Sequence, residues 1–199
     1  MLADFHPSVY PGLEAVPVPE GWADEDVPHD VEALIADAEE SAWALEESCR
    51  DGKFVAGDYR YAWQVMRGLA RDGTAPRDAR FLEWGSGQGM TSVLASLLGW
   101  RATGVERNGT LVREARRMAD RYGAERVRFV HGSYVEDGSG LPVVAAAGRD
   151  VVYVYPWPGE EPFFLRMFEA EADPGAMLLV ATGPLEIHAF RKVVRNWGG

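Results

Sequence analysis

Cysteine is almost missing from this sequence. Cys49 is the single one, so no intramolecular disulfide can form, and a cysteine zinc cluster is excluded. His6, His29, His131 and His188 are scattered without ligand spacing, which predicts no structural metal. No apolar run approaches the roughly 20 residues that cross a bilayer. The first residues, Met1-Leu-Ala-Asp-Phe-His, lack the basic start and apolar stretch of a signal peptide. These absences together predict a cytoplasmic protein with no membrane partner. Basic residues are also scarce: 20 Lys and Arg against 31 Asp and Glu give a net charge of −11. Such a surface repels phosphate backbones and argues against a nucleic-acid partner. Arg113, Arg116, Arg117 and Arg121 lie close together, but their helical spacing reads as a solvated face.

What the chain does have is the composition of a globular domain, 47% apolar and 26% charged over 199 residues. Residues 1–28 carry Pro7, Pro11, Pro17, Pro19 and Pro28 with no sustained period, which predicts an irregular arm, either disordered or wrapped over the body. Residues 29–75 read as a helical segment. Val31, Leu34, Ile35, Ala38, Ala42, Leu45 and Cys49 recur at steps of three and four, predicting a helix from about Asp30 to Arg50. Asp58 is a good N-cap for a second helix that turns Ala62, Val65, Met66 and Leu69 inward and ends by Gly73.

Residues 76–199 alternate between strand and helix. Strands are expected at Arg80–Trp84, Arg101–Glu106, Arg126–His131, Val151–Tyr155 and Ala176–Thr182. Helices are expected at Thr91–Leu98, Thr110–Tyr122 and Pro162–Ala172. This order predicts an α/β fold, a doubly wound and mainly parallel sheet. Leu185 to Trp197 is too short for a full set of late strands, so the C-terminal end of the sheet is expected to be abbreviated.

The chemistry concentrates in Phe81-Leu-Glu-Trp-Gly-Ser-Gly-Gln-Gly-Met-Thr, which leaves a strand and opens a helix. Gly85, Gly87 and Gly89 let the backbone bend sharply and approach a ligand closely. The dinucleotide pattern G-x-G-x-x-G fails here, because Met90 follows Gly89 and no glycine falls in the required register. Glu83, just before the turn, disfavours a phosphate ligand and suits a cationic amino-acid end. Glu106 closes the next strand, 21 positions after Gly85. A carboxylate at that distance has two acceptor oxygens for two ribose hydroxyls.

These residues resemble the class I methyltransferases that use S-adenosylmethionine. Glu83-Trp-Gly-Ser-Gly-Gln-Gly matches that family's first motif, with Glu where Asp is more usual, and Glu106 matches its ribose-binding acid. The likeness covers roughly residues 54–182. Leu82-Glu-Trp-Gly-Ser-Gly together with Val154-Tyr-Pro-Trp-Pro-Gly-Glu-Glu is similar to a bacterial subgroup of these enzymes. The resemblance implies a Rossmann-like fold, S-adenosylmethionine as cofactor, and a cofactor site at Glu83, Gly85, Ser86, Gly87, Gly89 and Glu106. Ser133 stands where many relatives carry an adenine-binding Asp. It either accepts the adenine amino group, with Tyr134 packed on the ring, or caps the next turn. An aromatic upstream of the first motif covers the cofactor in several relatives. Tyr59 and Tyr61 are the candidates, the alternative being that they pack the second helix.

At Tyr155-Pro-Trp-Pro-Gly-Glu, relatives that methylate planar amines carry Asn or Asp and then Pro-Pro-aromatic. Tyr155 replaces that polar residue, which argues against nucleic-acid bases and glutamine as acceptors. Tyr155, Trp157 and Glu160 are the candidates for the catalytic end. Tyr155 offers a hydroxyl, Trp157 a flat face for stacking or for a cation, and Glu160 a carboxylate for a basic group or for the helix dipole. Glu161 has the same two readings, and His131 reads first as structural. The implied activity is methyl transfer to a small molecule or a protein side chain. Two alternatives remain: an aminopropyl transferase, which needs an acid where Tyr155 stands, and a catalytically degenerate S-adenosylmethionine-binding domain acting as a partner module.

Overall fold

A computed structural model describes residues 9–48 and 54–194. Seven strands form one sheet: β1 (Leu13–Val16), β2 (Arg80–Trp84), β3 (Arg101–Glu106), β4 (Val127–His131), β5 (Val151–Val154), β6 (Met177–Gly183) and β7 (Glu186–Lys192). Among the described residues five α-helices accompany them: α1 (His29–Ser48), α2 (Tyr59–Arg71), α3 (Met90–Leu97), α4 (Gly109–Arg121) and α5 (Glu161–Glu171). The sheet order is β1-β7-β6-β5-β2-β3-β4. The β2–β3, β2–β5, β3–β4 and β5–β6 pairs are parallel, while β7 runs antiparallel to both β6 and β1. No helix among the described residues is long and apolar enough to cross a membrane.

Both faces of the sheet are buried, which explains why β5 and the start of β6 are continuous apolar runs rather than alternating ones. On one face, helices α1 to α4 pack Leu34, Val65, Met66, Val93 and Val112 against Phe81, Tyr153 and Leu179. On the other, Phe164, Leu165 and Phe168 of α5 meet Leu82, Trp84, Val152 and Leu178. Each such side chain stabilises the fold by about 1.5–3 kcal/mol when fully buried. The crossover from β4 to β5 carries no helix; residues 132–150 cross as a loop. Helix α2 starts as expected, with the Asp58 side chain accepting the Tyr61 N–H at 2.9 Å.

The expected irregular arm is corrected in two places. Leu13–Val16 is a strand, with Leu13 buried and Val16 opposite Ala189 of β7. A 3₁₀ turn at Glu20–Asp24 then seats Trp22 against Gly68 of α2, where a Cβ would lie 2.5 Å from the indole. The expectation missed both because four residues give too little period, and because the partner strand lies at the other end of the chain. The C-terminal end is likewise less abbreviated than expected. β6 and β7 form a hairpin, and β1 covers the outer edge of β7, leaving that edge paired. Residues 1–8, including His6, lie outside the described residues, as do Cys49, Arg50 and Trp197.

Candidate functional site

The chain leaves β2 toward β3 on one side and β5 toward β6 on the other. Neighbouring strands β2 and β5 therefore form the point where the winding reverses, and a crevice opens beyond their carboxyl ends. A cavity of about 1080 Å³ occupies that place. It brings together Tyr59, Glu83, Gly85, Ser86, Gly87, Glu106, Tyr134, Tyr155, Trp157 and Glu160 from the residues singled out in the sequence. Ser133 and Gly89 are not among its lining residues.

The glycine turn wraps the end of β3. The N–H groups of Gly85 and Ser86 both donate to the Val105 carbonyl, at 3.0 and 2.9 Å. Gly87 has φ +52°, and a Cβ there would stand 2.6 Å from the ring of Phe54. Phe54 thus packs close against the turn at the cavity wall. Glu106 accepts the Gly87 N–H at 3.0 Å on one oxygen and the Asn108 N–H at 2.7 Å on the other. A carboxylate has about four acceptor sites, so two remain for a ligand. Gly89 serves a different purpose. At φ +82° it precedes α3, and a Cβ would meet Phe129 at 2.5 Å and Ala115 at 2.7 Å. Close packing of α3 on the sheet, rather than ligand contact, requires this glycine.

Glu83 is buried at the end of β2. Its Oε2 accepts both the Ser92 N–H at 3.0 Å and the Ser92 hydroxyl at 2.6 Å, tying β2 to the first turn of α3. Burial pushes its carboxyl up to about 7, opposed by hydrogen bonds from Ser92 and Thr91 and aided by the charge of Glu106. This shift has a measurable consequence. The folded carboxyl holds its proton more tightly than an ordinary one at 4.5, so the native state carries the extra proton between those two values. The contribution to stability is complete below pH 4.5 and is lost as pH rises through about 7. The full swing is on the order of 3 kcal/mol. Glu83→Gln keeps an acceptor for Ser92 but removes the titration. Relative to the parent, the variant should gain stability steadily in urea melts from pH 5 to pH 8, and parallel curves would contradict the buried acid.

Two tyrosines flank Glu83. The Tyr59 hydroxyl accepts the Gln88 Nε2–H at 3.0 Å, and Gln88, wholly buried, also donates to the Ala38 carbonyl at 3.0 Å and accepts from Ser41 at 3.2 Å. This pins α1 and α2 to the glycine turn. Burial raises the hydroxyl pKa of Tyr59, and burial with the nearby Glu83 charge raises that of Tyr153. Tyr61 is buried in the core and does not line the cavity. Ser86 is buried, and its hydroxyl has no partner among the described residues.

The far wall comes from β4 and β5. Tyr134 packs at 5.2 Å from Phe164 and 6.4 Å from Trp84, centroid to centroid. Ser133 follows the turn-capping alternative: it is buried, and its hydroxyl accepts the Val135 N–H at 3.1 Å. His131 bonds the Arg107 carbonyl at 2.9 Å, a structural contact. Past β5, Tyr155 is 37% exposed and Trp157 43% exposed, so both present free ring surface. The Trp157 N–H donates to Glu160 Oε2 at 3.4 Å. Phe54, Gln88 and Tyr153 escaped sequence reasoning. A lone aromatic, a lone amide and an apolar-strand tyrosine carry no periodic signal, although Gln88, inside the glycine motif, and Tyr153, two places before Tyr155, had positions that pointed to the site. Among the described residues no group of His, Cys, Asp and Glu is placed to hold a metal ion.

The fold has solved counterparts. An RNA methyltransferase from Salinibacter ruber, in complex with S-adenosyl-L-homocysteine, matches with a TM-score of 0.51 at 20% identity, over 68% of this chain and 93% of its own. The chain has the class I methyltransferase fold. A mutant of MtNAS in complex with S-adenosylmethionine matches this fold with a TM-score of 0.54 at 16% identity, over 82% of this chain and 73% of its own. Cofactor-bound Rv0187 from MTB matches with a TM-score of 0.52 at 21% identity, over 78% and 73% of the two chains. No protein-family model and no curated protein matches the sequence.

Proposed function

We propose that the chain is an S-adenosylmethionine-dependent methyltransferase acting on a small molecule or a protein side chain. The observation that carries this reading is Glu106, which faces the cavity beside the glycine turn with two acceptor sites open for ribose hydroxyls. The bound molecules named for two of the structurally similar proteins, S-adenosylhomocysteine and S-adenosylmethionine, support the same cofactor. Tyr134 takes the adenine side. Glu83 and Tyr59 take the methionine end, where an arriving ammonium favours the ionised Glu83. The single cysteine fits a cytoplasmic setting.

Methyl transfer from a sulfonium proceeds in line. The work left to the protein is to hold nucleophile and methyl group together and to exclude water. Tyr155, Trp157 and Glu160 line the part of the cavity left for the acceptor. Pro156 and Pro158 restrict the backbone on either side of Trp157. Trp157→Ala should leave S-adenosylhomocysteine affinity nearly unchanged and weaken acceptor binding by about 0.5–3 kcal/mol, read as a rise in acceptor KM. Equal loss of cofactor and acceptor binding would move Trp157 out of the acceptor site. Isothermal titration with S-adenosylmethionine followed by a methyl-transfer screen tests the activity. Binding without turnover on any acceptor would leave a cofactor-binding partner module in its place.

A further inference from the structure

We propose that the methyl acceptor is an amine that arrives as a cation, received between the aromatic pair Tyr155 and Trp157 and the carboxylates of Glu160 and Glu161. The inference rests on the methyl-transfer reading and deepens it. It starts from the charges around the cavity. Among the described residues four carboxyl groups line it, Glu83, Glu106, Glu160 and Glu161, against one basic side chain, Arg107. That arginine already pairs with Asp137 at 3.2 Å. A carboxylate or phosphate acceptor would enter a chamber whose described lining is acidic, with no uncommitted basic side chain among those residues, and a buried unpaired anion is costly.

The inner two acids are engaged, Glu106 by backbone N–H groups and Glu83 by Ser92. Glu160 and Glu161 are different. Among the described residues neither forms an ion pair. Their place at the start of α5 suits the helix dipole, but that effect does not explain why both line the same cavity as the part-exposed Tyr155 and Trp157. Trp157 and Tyr155 remain 43% and 37% exposed, and aromatic faces next to carboxylates are the surroundings that hold an organic ammonium. Glu160 is tied to the backbone of the same loop, its Oε2 accepting the main-chain N–H of Trp157 at 3.4 Å.

In the reaction the ammonium first gives one proton to solvent at the open mouth. The freed nitrogen lone pair then forms the N–CH3 bond as the S–CH3 bond breaks. The sulfonium becomes a neutral thioether and the amine a methylammonium. A free amine and a protein lysine share this chemistry.

The test uses the full chain saturated with S-adenosylhomocysteine. Calorimetry follows a panel of tyramine, benzylamine and a short lysine peptide, each paired with a carboxylate of matching shape: 3-(4-hydroxyphenyl)propanoate, benzoate, and the same peptide with glutamate for lysine. At least one amine should bind tenfold or more tightly than its carboxylate partner. Preference within the small-molecule pairs or within the peptide pair tells a free amine from a protein lysine. In Glu160→Gln/Glu161→Gln that preference should fall at least fivefold while S-adenosylhomocysteine affinity is kept. Carboxylates binding as well as amines, no amine binding at all, or an undiminished preference in the double variant would each overturn the proposal. Failure of S-adenosylhomocysteine itself to bind would instead remove the methyl-transfer reading beneath it.

Discussion

Glu106→Ala is expected to weaken S-adenosylmethionine binding by tenfold or more. On the proposed reading the carboxylate takes hydrogen bonds from both ribose hydroxyls, and bonds to a charged group are worth about 1.5–3 kcal/mol each. The structure adds a second source of loss. Glu106 also fastens the N–H groups of Gly87 and Asn108, at 3.0 and 2.7 Å, so alanine frees the turn that it should shape for the ligand. Glu106→Gln separates the two contributions. Its single oxygen can serve one of those N–H groups, and its amide faces the other donor. The glutamine variant should therefore bind weakly as well, although it is nearly the same size. Calorimetry on both variants, with circular dichroism to show that they fold, reads the result. Parent-like affinity in either folded variant would remove Glu106 from the cofactor site.

The second large effect is expected at Gly87. Valine there has to adopt φ near +52°, which costs a residue with a side chain about 1–3 kcal/mol and suits a β-branched one worst. Its Cβ would also fall 2.6 Å from the Phe54 ring, so Phe54 must swing off the turn. Both changes happen at the cavity wall, away from the packing of Phe129 beneath Gly89. Gly87→Val should thus lower stability by a few kcal/mol at most and still fold, while losing S-adenosylhomocysteine binding by tenfold or more. The comparison variant is Gly85→Ala. It shares a positive φ, +72°, but faces open space. It should show the backbone penalty without displacing Phe54. Normal binding by Gly87→Val would mean that this turn is not where the cofactor sits.

Most of the fold was legible because its elements are local and strongly patterned. β2 and β3 have the ends that the sequence predicted, Arg80–Trp84 and Arg101–Glu106, since each is a short apolar run bounded by glycine or charge. Helix α2 announced itself through Asp58 and a clear apolar face. β1 and its pairing with β7 were hidden, because strand pairing between chain ends leaves no mark on four residues. At the site, motif spacing led to Glu83, Gly87 and Glu106, but spacing does not tell what a side chain faces. Gly89 follows the same pattern as Gly87, yet it looks into Phe129 and Ala115. Ser133 has the right place in the chain for a ligand contact, yet its hydroxyl turns to Val135. Glu83, read as a ligand group, proves also to be the anchor of α3 through Ser92. Phe54 and Gln88 act through contacts with distant elements, and these arise only when the sheet and helices are assembled.

The central claim is that the cavity beyond β2 and β5 holds S-adenosylmethionine. Titration of the purified full chain with S-adenosylhomocysteine addresses it most directly, by calorimetry and by thermal unfolding on the same sample. One molecule should bind per chain, and the unfolding midpoint should climb with ligand concentration, since ligand at 100 times its Kd stabilises by about 2.7 kcal/mol. A flat titration and an unmoved midpoint at about 1 mM ligand, where even a site worth about −4 kcal/mol would be half filled, would contradict the assignment.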